Sequence, residues 1–355
     1  MFCQEHHRGA NTVRDSYHTV RHTGKVALSV LLHFFRLLWI RWFIVRRAHR
    51  THLVAVALIE HLGDIVACEP IARRVREEHP DGYILWFVRK QYRELIENNP
   101  SIDAPFAVHC LTEKEILFQS GLLNLAIDLH FPERHCALCP ESWIRRAGTH
   151  TSGSVGLSNF YTFGSILRSV ALLAGLTPSD ELPRIYVGEN EKKAVDALRL
   201  PPLFAVLHCN SNTSEKDWPR DKWEKLARLI TAEHGCEIVE VGLQPTLNDS
   251  GLASYINAAG TLSILETAEV IRRGKIFIGV DSGPAHCANA VGTYGIVLLG
   301  SYLGFKKYNP FSGNYGDGSN AALLHVEGAV ASISVERVRQ AVDNAFQTLR
   351  SINGR

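Results

Sequence analysis

The hydrophobic positions of this chain alternate between short apolar runs and helical stripes over most of its length. In the first half, strands are predicted at residues 53–59, 83–88, 104–108 and 125–129. A Gly63-Asp64 turn follows the first strand, and a helix is predicted over residues 65–78. Apolar runs without period-two alternation are typical of parallel strands that are covered on both faces. This half therefore predicts a parallel-sheet α/β domain.

The second half repeats the alternation. Strands are predicted at residues 203–209, 237–241 and 275–280, and helices at 220–234, 263–273 and 334–349. The helix over 220–234 carries an apolar stripe at helical spacing and ends before Gly235, where a C-cap glycine is expected. The two halves join around the proline-rich residues 177–202. We therefore predict two parallel-sheet domains, residues 53–180 and 181–355, facing a cleft.

The first 52 residues have a different character. They hold nine Arg or Lys against two acidic residues, a balance of +7 within a chain of net charge +2. Residues 26–45 are apolar but interrupted by His33, Arg36 and Arg41. An in-plane helix on an anionic membrane surface fits this pattern. A membrane span, in which two central arginines cost about 5–7 kcal/mol, and a self-packed extension are the alternatives.

Composition limits the other classes. With 46% hydrophobic and 21% charged residues the chain is of the globular type. The body outside the first 52 residues is mildly acidic, so no nucleic-acid partner is expected. The eight scattered cysteines predict reduced thiols and a cytoplasmic setting.

The most informative stretch is the strand, turn and helix of residues 275–291. Ser282 stands where a helix cap is expected, Gly283 allows a close backbone approach, and Pro284 fits the first helical position. A helix that starts after a parallel strand offers N–H donors and a partial positive charge to an anion. His286 on its first turn supports a phosphate site, although a packing histidine is the alternative. Asp281 is expected to shape the loop.

Two other strand ends carry candidate chemistry. Asp64, after the flexible Gly63, is a candidate general base, or else a simple N-cap. Lys216 lies in the loop after the strand at 203–209 and is a candidate diphosphate contact, or else a solvated lysine. No G-x-G-x-x-G follows any strand, which disfavours a NAD-dependent enzyme.

Together these segments resemble glycosyltransferase family 9, the heptosyltransferase-type enzymes of lipopolysaccharide assembly. The likeness rests on "VALIEHLGD" near the start, "SEKDWP" in the second half and "VDSGPAH" before a helix of small residues, and it covers about residues 53–345. It implies a GT-B fold and metal-independent transfer with inversion, without a cofactor. It also implies a donor such as ADP-heptose, a glycolipid or polysaccharide acceptor, and a cytoplasmic enzyme peripheral to the inner membrane.

The resemblance assigns roles by position. Asp64 matches the proposed base in an acceptor-side domain, and Lys216 matches the lysine that contacts the donor diphosphate. Ser282, Gly283 and His286 match the diphosphate loop and helix start. Leu262 aligns with a residue that packs on the nucleobase.

Three departures concern the acceptor. Glu60-His61 precedes the Gly-Asp turn in place of small or hydroxyl residues, the basic extension is additional, and residues 128–143 form an unusual loop. That loop holds His130, His135, Cys136 and Cys139, but four ligands within ten residues are poorly spaced for structural zinc, so no metal is expected. A nucleotide-sugar epimerase or hydrolase, or a non-catalytic membrane-associated binding protein, are the alternative functions.

Overall fold

The structure is a computed structural model that describes residues 12–143, 155–247, 255–301 and 308–353. The chain divides into two compact units. The first unit comprises the described parts of Met1–His61, Cys68–Phe163 and Arg168–Ser179. The second comprises Leu62–Ala67, Gly164–Leu167 and the described parts of Asp180–Arg355. The short segment Leu62–Ala67 thus belongs to the second unit by its contacts, although its chain neighbours belong to the first.

A long helical segment opens the described chain. It consists of α1 (Thr12–Trp39), a π-helical turn (Ile40–Ile44) and α2 (Val45–Arg47). One side is buried against the first unit, with Val26, Leu37 and Ile40 at 5% exposure or less. The opposite side exposes a row of large apolar side chains: Leu28, Leu31, Leu32, Phe35, Trp39, Trp42 and Phe43.

Three polar side chains of α1 contact other parts of the first unit. Ser29 donates to the carboxylate of the buried Glu113 at 2.6 Å, and His33 Nδ1 lies 2.6 Å from the same carboxylate. The Arg36 guanidinium lies 4.8 Å from the centre of the Phe106 ring. The segment His18–Arg47 is long and apolar enough to cross a membrane by length and composition, with a mean hydropathy of 1.7.

The first unit contains a four-stranded parallel sheet. Its strands are β1 (His52–Ala57), β2 (Gly82–Arg89), β3 (Ala104–Val108) and β4 (Leu125–Asp128), in the order β3-β2-β1-β4. The helices that follow these strands in sequence are α3 (Leu62–Ala67), α4 (Glu69–Glu78), α5 (Glu94–Glu97) and α6 (Leu111–Phe118). The single helix expected over residues 65–78 is broken at Cys68, because Pro70 lacks the N–H that a continuous helix needs and instead fits the first turn of α4.

The second unit contains a six-stranded parallel sheet in the order β10-β9-β8-β5-β6-β7. Its strands are β5 (Phe204–His208), β6 (Glu237–Glu240), β7 (Tyr255–Asn257), β8 (Ile276–Val280), β9 (Gly295–Leu299) and β10 (Ala321–His325). The helices from residue 166 onward are α7 (Ile166–Leu173), α8 (Glu189–Ala197), α9 (Arg220–His234), α10 (Ile264–Arg273), α11 (Gly283–Val291), α12 (Gly313–Gly316) and α13 (Val335–Asn353).

The predicted helical stripe explains how α9 packs. Trp223, Leu226, Ala227 and Ile230 are all buried in the core of the second unit. Gly235 follows with φ of 60°, the left-handed conformation of a C-cap glycine. These elements confirm the prediction of two parallel-sheet α/β domains.

Candidate functional site

The strand order of the second unit creates a switch point at the carboxyl ends of β5 and β8. These strands are neighbours, with His208 paired to Gly279, but β6 and β7 continue the sheet to one side while β9 and β10 continue it to the other. The connections after β5 and β8 therefore leave toward opposite faces and open a crevice, which is where open α/β sheets bind ligands. Lys216 follows β5 and Asp281 follows β8, so both candidate residues lie at this crevice.

Lys216 and Asp281 form an ion pair across the switch point. The Lys216 Nζ donates to Asp281 Oδ2 at 2.6 Å. Burial tends to raise the pKa of Asp281, but the charge and hydrogen bond of Lys216 outweigh it, and the pKa lies below its ordinary value. The predicted loop-shaping role of Asp281 thus involves an ion pair to the next loop. An ammonium has three N–H donors, so the bond to Asp281 does not by itself preclude contact with a phosphate oxygen.

The N-terminus of α11 differs from the sequence prediction in the hydrogen bond that Ser282 makes. Ser282 occupies the N-cap position, but its hydroxyl donates to the Val280 carbonyl at 3.1 Å and accepts no hydrogen bond from the helix. Pro284 stands in the first turn, as expected. The N-terminal end of the helix dipole therefore has no side-chain cap among the described residues, which leaves an anion-binding end at the crevice.

His286 lies in the first turn of α11 and is 5% exposed. Its ring packs on Phe311 at a centroid distance of 4.6 Å. Burial lowers the pKa of His286 to about 4, even though Asp281 acts in the opposite direction. The imidazole is therefore neutral near pH 7, and its buried Nδ1 has no hydrogen-bond partner within the described part of the chain. A buried nitrogen without a partner is costly unless a ligand supplies one.

Two glycines let the starts of α3 and α11 approach each other. A Cβ on Gly63 would lie 2.7 Å from His286 Cδ2, and a Cβ on Gly283 would lie 2.4 Å from Leu62 Cδ2. Any larger residue at either position requires its neighbour to shift. This crossing places Asp64, in the first turn of α3, one residue from the contact with His286. The structure thus brings Gly63 and Asp64 together with Gly283 and His286, which lie more than 200 positions later in the chain.

Leu262 is the remaining predicted residue. It is half-buried in the turn between β7 and α10, just before Ser263 caps α10 in a capping box with Glu266. That turn lies on the β6–β7 side of the switch point.

The first unit has a switch point of its own, between β1 and β4. Glu60 accepts hydrogen bonds from Arg134 at 3.0 Å and forms an ion pair with Arg89 at 2.8 Å. Arg134 also lies 2.7 Å from His61 Nε2. Burial, followed by the charge of Arg134, lowers the pKa of His61 to about 3. His61 has φ of 57°, a strained conformation of the kind that accumulates at functional sites.

Arg134 and Arg89 were not singled out from the sequence. The unusual residues Glu60 and His61 were noticed, but their partner Arg134 lies about 74 positions away. The sequence signal for this network was the pair Glu60 and His61 at the end of a strand. Their common partner depends on the parallel pairing of β1 with β4.

The histidines and cysteines of residues 128–143 separate in the structure. His130 accepts from the backbone N–H of Ile59 at 3.0 Å and contacts Asp128 through its other ring nitrogen, so it supports the end of β1. His135 is exposed and contacts the Glu133 carbonyl. Of these four residues, only Cys136 and Cys139 have their ligand atoms close to each other.

Comparison with known proteins gives consistent matches. The family model described as glycosyltransferase family 9 (heptosyltransferase) matches residues 175–310. A lipopolysaccharide heptosyltransferase 1 from Campylobacter coli is 21% identical over 307 residues, covering 74% of this chain and 87% of that protein. The glycosyltransferase family 9 structure from Veillonella parvula aligns with a TM-score of 0.64 at 20% identity, covering 84% of this chain and 98% of the other.

The E. coli ADP-heptose LPS heptosyltransferase II structure aligns with a TM-score of 0.63 at 15% identity, covering 84% of this chain and 99% of that one. At such identities the solved structures establish the fold. With the sequence matches, they confirm that the chain is a glycosyltransferase of the GT-B fold class. By these matches it is similar to the family 9, heptosyltransferase-like enzymes, as its motifs indicated.

Proposed function

We propose that this enzyme transfers a heptose-type sugar from ADP-heptose to a lipopolysaccharide-core or related glycolipid acceptor, with inversion and without a catalytic metal. The observation that carries the proposal is the crossing of α3 and α11 at Gly63 and Gly283, which sets a carboxylate beside an anion-binding helix start. The similar enzymes named above act on ADP-heptose or lipopolysaccharide by their own descriptions, which supports this choice of substrates.

In the proposed reaction, the Asp64 carboxylate takes the proton of an acceptor hydroxyl. The oxygen then attacks the anomeric carbon as the bond from that carbon to the diphosphate oxygen breaks. A single displacement inverts the configuration, and the nucleoside diphosphate departs with its negative charge. The acceptor is proposed to lie toward residues 128–143, the loop by which this chain departs from the family pattern.

The departing charge is proposed to be stabilised by groups that stay in place throughout the reaction. Lys216 supplies an ammonium that Asp281 orients, and the N-terminus of α11 supplies backbone N–H groups at Ser282 and Gly283. His286 Nδ1 is proposed to meet the diphosphate or a water bound to it. These groups supply the positive potential that a divalent metal supplies in other transferases. Leu262 is proposed to pack on the adenine.

The test of this proposal is Asp64→Asn in the full-length protein. General-base loss is expected to lower the transfer rate about 10²–10⁴-fold, while the Kd for ADP changes less than about twofold. Asp81→Asn, at an exposed aspartate of the first unit, is the matched control and should leave both quantities unchanged. Unaltered turnover in Asp64→Asn would remove Asp64 as the base. Donor cleavage by wild type without any acceptor would favour the hydrolase alternative.

We also propose that the enzyme is cytoplasmic and docks on the inner membrane through the exposed apolar side of α1. Two features support a bilayer surface: the row from Leu28 to Phe43 faces outward, and Arg46 and Arg47 follow it, a charge pattern that suits anionic lipids. The bonds from Ser29 and His33 to Glu113 favour an in-plane helix over a span, because crossing would break them.

Vesicle sedimentation tests this docking. Phe35→Ser combined with Trp39→Ser should reduce binding to phosphatidylglycerol vesicles about tenfold or more, while activity on a soluble acceptor is retained. Val20→Ser, at an exposed apolar position nearer the helix start, is the control. Undiminished vesicle binding by the double variant would place the anchor elsewhere.

A further inference from the structure

Four potential metal ligands meet in the first unit, away from the residues assigned above. They are His22 on α1, Cys110 at the start of α6, and Cys136 and Cys139 of the loop after β4. Their ligand atoms all lie within 4.8 Å of one another. Three separate stretches of the chain therefore converge on one point, and only the Cys-x-x-Cys pair is local in sequence.

The distances approximate a tetrahedral site. The Cys110 and Cys139 sulfurs are 3.9 Å apart, and Cys136 Sγ lies 3.4 Å from His22 Nε2. A zinc ion with Zn–S of about 2.3 Å and Zn–N of about 2.0–2.1 Å requires edges of about 3.8 Å between sulfurs and about 3.5 Å between sulfur and nitrogen. A disulfide requires about 2.05 Å, so the cysteines are placed as neighbouring ligands and not as a bonded pair.

The surroundings suit a structural site. Cys110 is 1% exposed and Cys139 is 9% exposed, and Val26, Val30 and Trp143 pack around them. Cys110 occupies the N-cap position of α6. Within the Cys-x-x-Cys turn, the N–H of Cys139 donates to the Cys136 carbonyl at 3.2 Å. Cys136 and His22 are half-buried, so two buried and two half-buried ligand residues meet at this point.

We propose that His22, Cys110, Cys136 and Cys139 bind one zinc ion that fastens α1 to the first unit. Three thiolates and an imidazole select zinc over magnesium or calcium, which prefer oxygen ligands. Four protein ligands close the coordination sphere, so the ion has no open position for substrate. This role is separate from the sugar transfer and leaves the proposed chemistry at Asp64 unchanged.

The metal explains how an apolar helix is held in a fixed register on the protein. Beyond the cluster, Ser29 and His33 of α1 bond to Glu113. In the π-helical turn that follows α1, Arg41 donates to the carbonyls of Gly121 and Leu122. His22 and Arg41 therefore hold different parts of the helical segment. Because ligands in an unfolded chain are dispersed, zinc binding would contribute directly to docking of the helix.

The first experiment measures zinc in the full-length protein by plasma mass spectrometry. We expect about one zinc per chain in wild type, close to none in Cys136→Ser and Cys139→Ser, and an unchanged value in Cys236→Ser, a buried cysteine of the second unit. His22→Cys should retain the ion in a four-cysteine site, whereas His22→Ala should lose it or bind it far more weakly. Retention of zinc in both loop variants would overturn the proposal.

The second experiment uses wild type alone, in case the loop variants fail to fold. Chelation followed by Co²⁺ should give the visible spectrum of a tetrahedral thiolate site. In the chelated protein, before cobalt is added, hydrogen exchange and proteolysis of residues 18–35 should increase. Absence of any cobalt spectrum, a Cys110–Cys139 disulfide found by thiol alkylation, or iron in place of zinc would each contradict the assignment.

Discussion

The carboxyl edges of the two sheets use the same topology for different purposes. In the second unit, the switch point between β5 and β8 carries one ion pair, an uncapped helix start and a buried imidazole nitrogen without a described partner. In the first unit, the switch point between β1 and β4 carries a linked network in which Arg134 contacts both Glu60 and His61. The sheet edge of the second unit has groups that can still bind an anion. At the sheet edge of the first unit, the polar groups bond to each other.

This difference fits the division of roles proposed above. Diphosphates are chemically uniform, so a helix N-terminus and a lysine suffice to bind them. Acceptors differ in shape and charge, and their recognition requires side chains held by a network. The short helix α3 follows Glu60 and His61 in sequence and packs with α11 in space.

Adding a methyl group at the crossing should have the largest effect. In Gly63→Ala, the new Cβ would overlap the His286 ring, which is confined by Phe311. Overpacking of this kind costs about 1–3 kcal/mol, and the displaced Asp64 should lower kcat about 10²-fold. Urea unfolding and initial rates measure the two effects. Gly24→Ala, where nothing lies within 4 Å, should not reduce stability, and equal behaviour of the two variants would remove the crossing as a constraint.

Charge removal should then distinguish the two edges. Lys216→Ala is expected to raise the Kd for ADP about tenfold or more, because the phosphate loses its contact with an ammonium. Lys225→Ala, at an exposed position of α9, should leave the Kd for ADP unchanged. Arg134→Ala is expected to leave the Kd for ADP within about twofold and to raise the KM for the acceptor. Calorimetry and steady-state kinetics separate these outcomes. A loss of ADP affinity in Arg134→Ala would show that the edges are not specialised as described.

The smallest effect concerns pH. The pKa of His286 is about 4 and that of His61 about 3, against an ordinary value near 6.5. As the pH falls below 6.5, the unfolded chain binds these protons before the folded chain does, so stability decreases toward pH 4 for His286 and toward pH 3 for His61.

His286→Gln should therefore lose less stability than wild type between pH 7 and pH 5, by up to about 1.4 kcal/mol per pH unit. His61→Gln should show the same direction with a smaller magnitude, because His61 is more exposed. Chemical denaturation at the two pH values measures both variants. If either variant loses as much stability on acidification as wild type, the corresponding imidazole is not buried in its neutral form.

The second unit was largely predictable from local patterns. The helix at residues 220–234 has the predicted bounds, and the strands predicted at 203–209, 237–241 and 275–280 differ from β5, β6 and β8 by one residue at one or both ends, whereas β7 and β10 were not predicted. Apolar periodicity, a C-cap glycine and short loops act within a few residues of each other, so a single sequence carries them. The positions of Lys216 and Asp281 at one crevice also followed, because parallel strands place their carboxyl ends at the same edge.

The first unit was less predictable at the points that concern function. The sequence predicts an in-plane helix before β1 whose apolar run is interrupted by His33 and Arg36. Their preference for Glu113 and Phe106 depends on residues more than 70 positions away. In the same way, four ligands crowded into residues 128–143 gave no reason to expect zinc. Cys110 and His22 enter the cluster only because the residues that follow β3 and β4 approach the N-terminal half of α1.

The amino-acid sequence by itself determined the alternation of strands and helices, the turn and helix start after β8, and the class of enzyme that these motifs indicate. Tertiary structure alone decided which side of α1 faces outward, that Arg134 joins Glu60 to His61, that Gly63 meets His286, and that three cysteines meet one histidine. The physical reason is the separation along the chain over which each interaction acts. Hydrogen-bonding pattern and hydrophobic period act between near neighbours, whereas packing selects contacts between distant segments by shape and charge, and it does so only once both sheets have formed.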